Sequence, residues 1–98
     1  MESLFKNHVF LVVSKIPKGS VMTYAGVARA AGKPRAARAV GNILNTNRDF
    51  KAVPCHRVVR SNGVVGGYVN GENQKVKKLV AEGVKIQQGR IDLTVFGI

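Results

Sequence analysis

The sequence predicts a mostly helical domain with one small β-hairpin, arranged like a winged helix around a helix-turn-helix. Three observations carry that prediction. Apolar residues recur at helical spacing near the N-terminus, two short helical segments flank Gly32, and Ser61-Asn62-Gly63 separates two Val-Val pairs.

Residues 3–16 read as the first helix, because Phe5, Val9, Val12, Val13 and Ile16 recur along one face. His8, near Leu4, Leu11 and Lys15, reads as partly buried packing. Pro17-Lys18-Gly19 ends the helix and turns the chain. A short extended piece over 20–22 follows. Thr23 suits the N-cap of a second helix over 24–31, which Gly32 stops. Pro34 suits the first turn of a third helix that runs to Leu44 or Asn45.

On that third helix Ala36, Val40, Ile43 and Leu44 can face the core. Arg35, Arg38, Asn42 and Asn45 fall at i, i+3, i+7 and i+10, on another face. Ala37 and Gly41 lie beside them, so this face is slim as well as polar and could approach a nucleic-acid groove closely. An ordinary solvated face is the alternative for a lone helix.

Beyond it, Ser61-Asn62-Gly63 between Val58-Val59 and Val64-Val65 predicts the hairpin turn. Residues 66–71 form a glycine-rich loop. Residues 72–82 read as the last helix, with Val76, Leu79 and Val80 inward, Lys75, Lys77 and Lys78 outward, and Gly83 at its end. An extended segment is expected around 91–95.

With 98 residues the chain reads as one domain, 1–98, able to bury a modest core. Sixteen Lys and Arg against five Asp and Glu give a net charge of +11, which favours an anionic partner, nucleic acid foremost. A merely basic soluble domain is the alternative. A single cysteine excludes an internal disulfide, and one Cys with two His cannot complete a four-ligand zinc site, so neither metal nor cofactor is expected. No apolar run approaches the ~18 residues of a membrane span, so no membrane association is expected. The expected setting is a reduced one: cytoplasm and nucleoid in a prokaryote, the nucleus in a eukaryote.

Cys55 has two readings. One is an inert, buried small hydrophobe. The other is a nucleophile, since His56 and Arg57 follow it directly and both favour a thiolate. Pro54 pushes residue 53 out of helical geometry, which puts Cys55 on a turn. Glu82, one of only five acids, could orient His56 and complete a Cys-His-acid arrangement. Adjacent side chains rarely bond directly, so a bridging water between Cys55 and His56 fits better than contact. A structural histidine making a turn hydrogen bond is the competing reading of His56.

Pro54-Cys55-His56-Arg57-Val58 resembles the active-site motif of the O6-alkylguanine-DNA alkyltransferases. The upstream run Ala37-Arg38-Ala39-Val40-Gly41 resembles the recognition-helix motif of the same family, and the two motifs together are highly specific. The resemblance runs over residues 16–83 without an obvious gap.

It implies a single-turnover reaction on double-stranded DNA containing O6-alkylguanine. Cys55 would attack the alkyl carbon and keep the group as a thioether. His56, through water and backed by Glu82, would take the thiol proton. Asn47 matches the asparagine that organises the cysteine's turn. Tyr24 matches the tyrosine that donates to guanine N3. Tyr68 matches a residue lining the pocket beside O6, and the Val69 N–H would donate to O6. The carbonyls of Cys55 and Val58 would accept from the exocyclic amine. Lys75 matches a lysine near the site, without an assigned role. Arg38 matches the arginine that fills the stack when the nucleotide is flipped. Small Ala36, Ala37 and Gly41 would let the helix enter the minor groove, with Arg35, Asn42 and Asn45 on the DNA-facing side. A monomer is implied.

Departures exist. The family commonly carries a further N-terminal domain, and with it in some members a zinc, neither of which is expected here. Asn45 stands where some relatives are basic, and Val69 replaces a small polar residue. A sister group of alkyltransferase-like proteins, with Trp or Ala in place of the cysteine, binds lesions without repairing them. Its members hand lesions on to a separate excision-repair protein, which is the alternative reading here.

Overall fold

The computed structural model describes residues 2–68 and 71–98. Helix α1, Glu2–Ser14, sets Phe5, Val9 and Val13 into the main core. It stops two residues short of the expected end. Lys15 and Ile16 bond back to Val12 and Val13 carbonyls in tighter i→i−3 closures, which lead into Pro17. Ile16 still packs inward. His8 is exposed, not packed, because the buried stripe passes through Phe5 and Val9 on either side of it.

Strand β1, Met22–Thr23, leads directly into α2, Tyr24–Ala30, whose N-terminus is capped by Thr23: its Oγ1 accepts from Gly26 N at 2.9 Å. α3 spans Ala37–Leu44. It begins three residues later than Pro34 suggests, because residues 33–36 are used to turn the chain. Lys33 N bonds back to Ala28 O, and Ala36 N bonds to Lys33 O. Val40 and Leu44 are buried, with Ala36 and Ile43 packed beside them. α2 and α3 are the helix-turn-helix, and α1 packs against both.

Cys55–Arg57 form a single 3-10 turn that runs into strand β2, Val58–Val59. The turn at 61–63 forms, with Gly63 N on Arg60 O at 2.9 Å, but β2 is not the first arm of a hairpin. It pairs in parallel with β1, Met22 opposite Val58 and Thr23 opposite Val59. The physical reason is visible in the sequence: both valines are fully buried, and an unalternated Val-Val pair suits a strand covered on both faces, not a half-solvated hairpin arm. This pairing fixes the cysteine's turn to the start of the helix-turn-helix.

The true hairpin lies further on. β3, Ile86–Gln87, pairs antiparallel with β4, Arg90–Ile91, and Val64 bridges to Arg90 from outside it. The expected extended segment at 91–95 covers only its first residue. Asp92 accepts from Thr94 N at 3.0 Å and caps one helical turn, α5, Leu93–Phe96. Val21, Val59, Val65, Leu79, Val84 and Ile91 make a second apolar cluster under this wing.

Helix α4, Glu72–Ala81, is rotated relative to the expected orientation. Val80 is exposed, whereas Lys75 is fully buried beside Leu79 and Lys78 is half-buried. The mostly helical, winged-helix-like class with a helix-turn-helix and a short strand pair therefore holds, with the wing built from different residues.

Gly63 makes the closest junction between the turn and the wing. Its φ is +85°, Ile91 N donates to its carbonyl at 2.8 Å, and an added Cβ would run into the Ile91 carbonyl oxygen. Gly63→Ala is expected to cost about 1–3 kcal/mol of stability. Urea unfolding measures this, and an unchanged midpoint would show that the wing can shift freely.

Candidate active site and nucleic-acid groove

Cys55 opens the 3-10 turn, with its N–H on Val53 O at 2.8 Å, and its side chain is 5% exposed as a residue. The buried Asn47 amide donates to Val53 O at 2.8 Å and to Cys55 Sγ at 3.4 Å. Its own Oδ1 accepts from Asp49 N at 3.0 Å, which fixes the amide's orientation. The same amide thus ties the sulfur to the turn that carries it.

His56 is held by α4. Its Nε2 meets Glu82 Oε2 at 3.0 Å. Glu82, at the C-cap of α4, also accepts two bonds from Arg57, Nε to Oε1 at 2.9 Å and Nη2 to Oε2 at 2.7 Å. Burial pushes the Glu82 carboxyl up, but the bonds from Arg57 and His56 outweigh it and hold the group below its ordinary value. Burial likewise pushes His56 below the ordinary histidine value, and Glu82 only partly opposes it. The imidazole is therefore neutral near pH 7 and able to take a proton. Its Nδ1 is buried with no hydrogen-bond partner among the described residues.

Tyr24 stands at the start of α2, where burial, and next the neighbouring Cys55, raise its phenol above the ordinary value. Lys75 Nζ donates to Gly67 O at 3.0 Å and to Tyr24 Oη at 3.4 Å, and sits 5.5 Å from the centre of the Tyr24 ring.

Tyr24, Gly41, Leu44, Asn45, Gly67 and Tyr68 enclose with Cys55 a cavity of about 20 Å³, room for roughly one water. It opens into a groove of about 760 Å³. Ala37, Arg38, Gly41, Asn42 and Asn45 of the α3 side form one wall, and Arg60, Ser61 and Asn62 stand among the remaining lining residues. The groove lining carries two arginines and no acid.

Most residues singled out in the sequence thus converge. Arg35 and Ala36 do not reach this groove; with Lys33 and Pro34 they border a separate shallow hollow, since the helix starts after them. Val58 is buried in β2 and does not line the cavity. Val69 lies outside the described residues. Arg60 and its turn were overlooked, because Ser-Asn-Gly reads as a hairpin alone. Lys75, Lys78 and Glu82 share one stripe of α4 at i, i+3 and i+7, a spacing that would have placed the lysines beside Glu82. No group of three or more His, Cys, Asp or Glu among the described residues is placed to hold a metal ion. No helix among them is long and apolar enough to cross a membrane.

Residues 4–84 match the family model for the 6-O-methylguanine DNA methyltransferase, DNA binding domain. A methylated-DNA–protein-cysteine methyltransferase of Methanothermobacter thermautotrophicus is 44% identical over 84 residues, 85% of this chain and 46% of the relative. A DNA base-flipping protein of Escherichia coli is 40% identical over 93 residues, 94% of this chain and 72% of the relative. The crystal structure of S. pombe Atl1 in complex with damaged DNA containing O6-carboxymethylguanine superposes with a TM-score of 0.89 at 31% identity. That match covers 100% of this chain and 96% of that one. The chain spans 29% and 27% of the length of two bifunctional methyltransferase/endonucleases that it also matches.

Burial disfavours the Lys75 ammonium and holds its pKa at about 8, against an ordinary 10.5. Below about pH 8 the fold carries a buried cation. Between the two values the unfolded chain binds a proton that the folded chain does not, so stability rises with pH there. The native protein is expected to gain on Lys75→Met across this window by up to about 3 kcal/mol. Urea unfolding of both at pH 7 and pH 10 checks this; a difference independent of pH counts against it.

Proposed function

The chain belongs to the 6-O-methylguanine DNA methyltransferase family through its DNA-binding domain, and from that premise we propose that it repairs O6-alkylguanine in DNA by single-turnover transfer of the alkyl group to Cys55. The observation that carries this reading is a cysteine in a small cavity whose lining is largely shared with a basic groove, with an Asn47 N–H on its sulfur and its neighbour His56 paired to Glu82.

Cys55 Sγ lies too deep to meet a base stacked in a duplex, so the nucleotide must be flipped, at a cost of a few kcal/mol. Arg38, exposed on the groove wall, enters the gap in the stack. A water on His56 Nδ1 carries the thiol proton to the imidazole, and Glu82 steadies the imidazolium. Sγ then attacks the alkyl carbon in line with the C–O6 bond. The S–C bond forms as the C–O6 bond breaks, and the electron pair leaves with guanine. Tyr24 donates to guanine N3 as that charge develops, and Lys75 supports the phenol from behind. In sum, a proton replaces the alkyl group on guanine and a thioether replaces the thiol. A thioether does not hydrolyse under mild conditions, so each molecule acts once.

A second reading, a lesion-binding protein that passes the damage to a separate repair protein, is favoured by the match over nearly the whole of Atl1. Cys55 tips the balance towards repair.

Incubation with a duplex containing O6-methylguanine is expected to add one methyl group to Cys55, read by mass spectrometry, and none to Cys55→Ser. Intact lesion with unchanged protein mass would leave only the second reading. Arg38→Ala is expected to slow transfer from duplex DNA by roughly tenfold or more, while transfer from free O6-benzylguanine is spared. Equal losses on both substrates would remove Arg38 from the flipping step.

A further inference from the structure

Tyr68 forms part of the cavity at Cys55, and it is held from behind by a residue that the reaction does not use. Lys78 Nζ donates to Tyr68 Oη at 3.2 Å and lies 5.6 Å from the centre of the same ring. The same ammonium lies 5.1 Å from the centre of the Phe50 ring. The two rings are 5.9 Å apart and tilted by 54°. One turn back on α4, Lys75 holds the neighbouring Gly67 carbonyl at 3.0 Å. Two lysines of one helix face therefore fix adjacent residues of the loop that closes the pocket.

The space they defend is small. A cavity of about 20 Å³ beside Cys55 takes neither a purine nor a bulky alkyl group until its wall yields. α3 and the cysteine's turn are parts of the core and cannot easily retreat. The Tyr68 ring is only half-buried at the edge of the core, beside Phe50 and edge-on to His56 at 6.5 Å, and the described hydrogen bond on its hydroxyl is the one from Lys78.

We propose that Lys78, Tyr68 and Phe50 form a cation–π clamp that limits the size of the O6-alkyl group admitted beside Cys55, with Lys78 as the positioning residue. The clamp rests on the reading of the site as an O6-alkylguanine pocket. Replacing Lys78 by Met keeps an unbranched apolar stem against the rings but removes both the hydrogen bond and the charge. Tyr68 is then free to swing outward and make room for a larger group. Replacing it by Arg preserves a cation that stacks on both rings.

The test uses the full chain with Cys55→Ser, so that binding is read without reaction. Affinities are measured by competition for duplexes carrying O6-methylguanine, O6-benzylguanine or no lesion. Lys78→Met is expected to shift the benzyl-to-methyl preference towards benzyl by roughly fivefold, and Lys78→Arg to restore the starting ratio. Taking the ratio cancels any loss of phosphate attraction, which weakens both duplexes alike. An unchanged ratio, or one that Arg does not restore, overturns the clamp while leaving lesion binding standing. Absence of any lesion preference in the parent protein overturns the alkylguanine reading, and the clamp with it.

Discussion

One carboxylate holds the site together. Glu82 receives His56 through one oxygen and the Arg57 fork through both, and Arg57 reaches on to the Ile16 carbonyl at 2.7 Å. Three distant pieces of chain thereby meet: the residue that follows the end of α1, the cysteine's turn and the C-cap of α4. Bidentate, charge-assisted bonds of this kind are strong and geometrically demanding. Losing the carboxylate would leave a guanidinium and an imidazole together without an anion, at a cost beyond that of any single bond. The sharing also tunes His56. Burial disfavours the imidazolium more than Glu82 favours it, and the Arg57 charge adds to that, so the carboxylate steadies the imidazole without forcing it to be protonated. An imidazole already charged could not receive the thiol proton.

α4 extends that logic along its length. Its inward stripe presents Lys75, Lys78, Leu79 and Glu82, two cations, an apolar residue and an anion, to three different parts of the site. Leu79 anchors the helix in the apolar cluster under the wing. Lys75 works against that anchoring, since an ammonium with no exposed surface is costly even with two acceptors nearby. Such a residue is poorly explained by stability. Its place, donating to Tyr24 and to the loop before Tyr68, fits a group kept for what it does to its neighbours.

What the sequence disclosed follows the range of the interactions. The Thr23 cap, the helix-turn-helix and the turn around Cys55 depend on residues within a few positions of one another, and they were legible. The parallel β1–β2 pair joins residues 36 positions apart, Met22 with Val58, and a local pattern cannot choose it over a nearby hairpin. Counting Lys75 and Lys78 as solvated was a helical-phase error of about one position, because lysine counts as polar in any amphipathic pattern. Their spacing from Glu82 was the one sequence signal for the inward face, and their partners Tyr24, Gly67, Tyr68 and Phe50 make it plain. Asn47 and Glu82 came from the family resemblance and from scarcity of acids, not from periodicity.

The separation between groove and cavity divides two tasks that a net charge of +11 alone would confuse. The groove carries Arg38 and Arg60 and polar amides, but no acid, so it attracts phosphate regardless of sequence and does so less well as salt rises. The cavity at Cys55 is lined by Tyr24, Leu44, Gly67 and Tyr68 among others and has room for roughly one water. Under the proposed reaction, affinity arises in the first and discrimination in the second. An undamaged guanine meets the same groove and the same arginine, yet brings no electrophilic carbon to the sulfur and returns to the stack. On that reading search can be indiscriminate without the chemistry becoming so, because the sulfur would be reached only by a base that had left the helix and displaced the pocket wall.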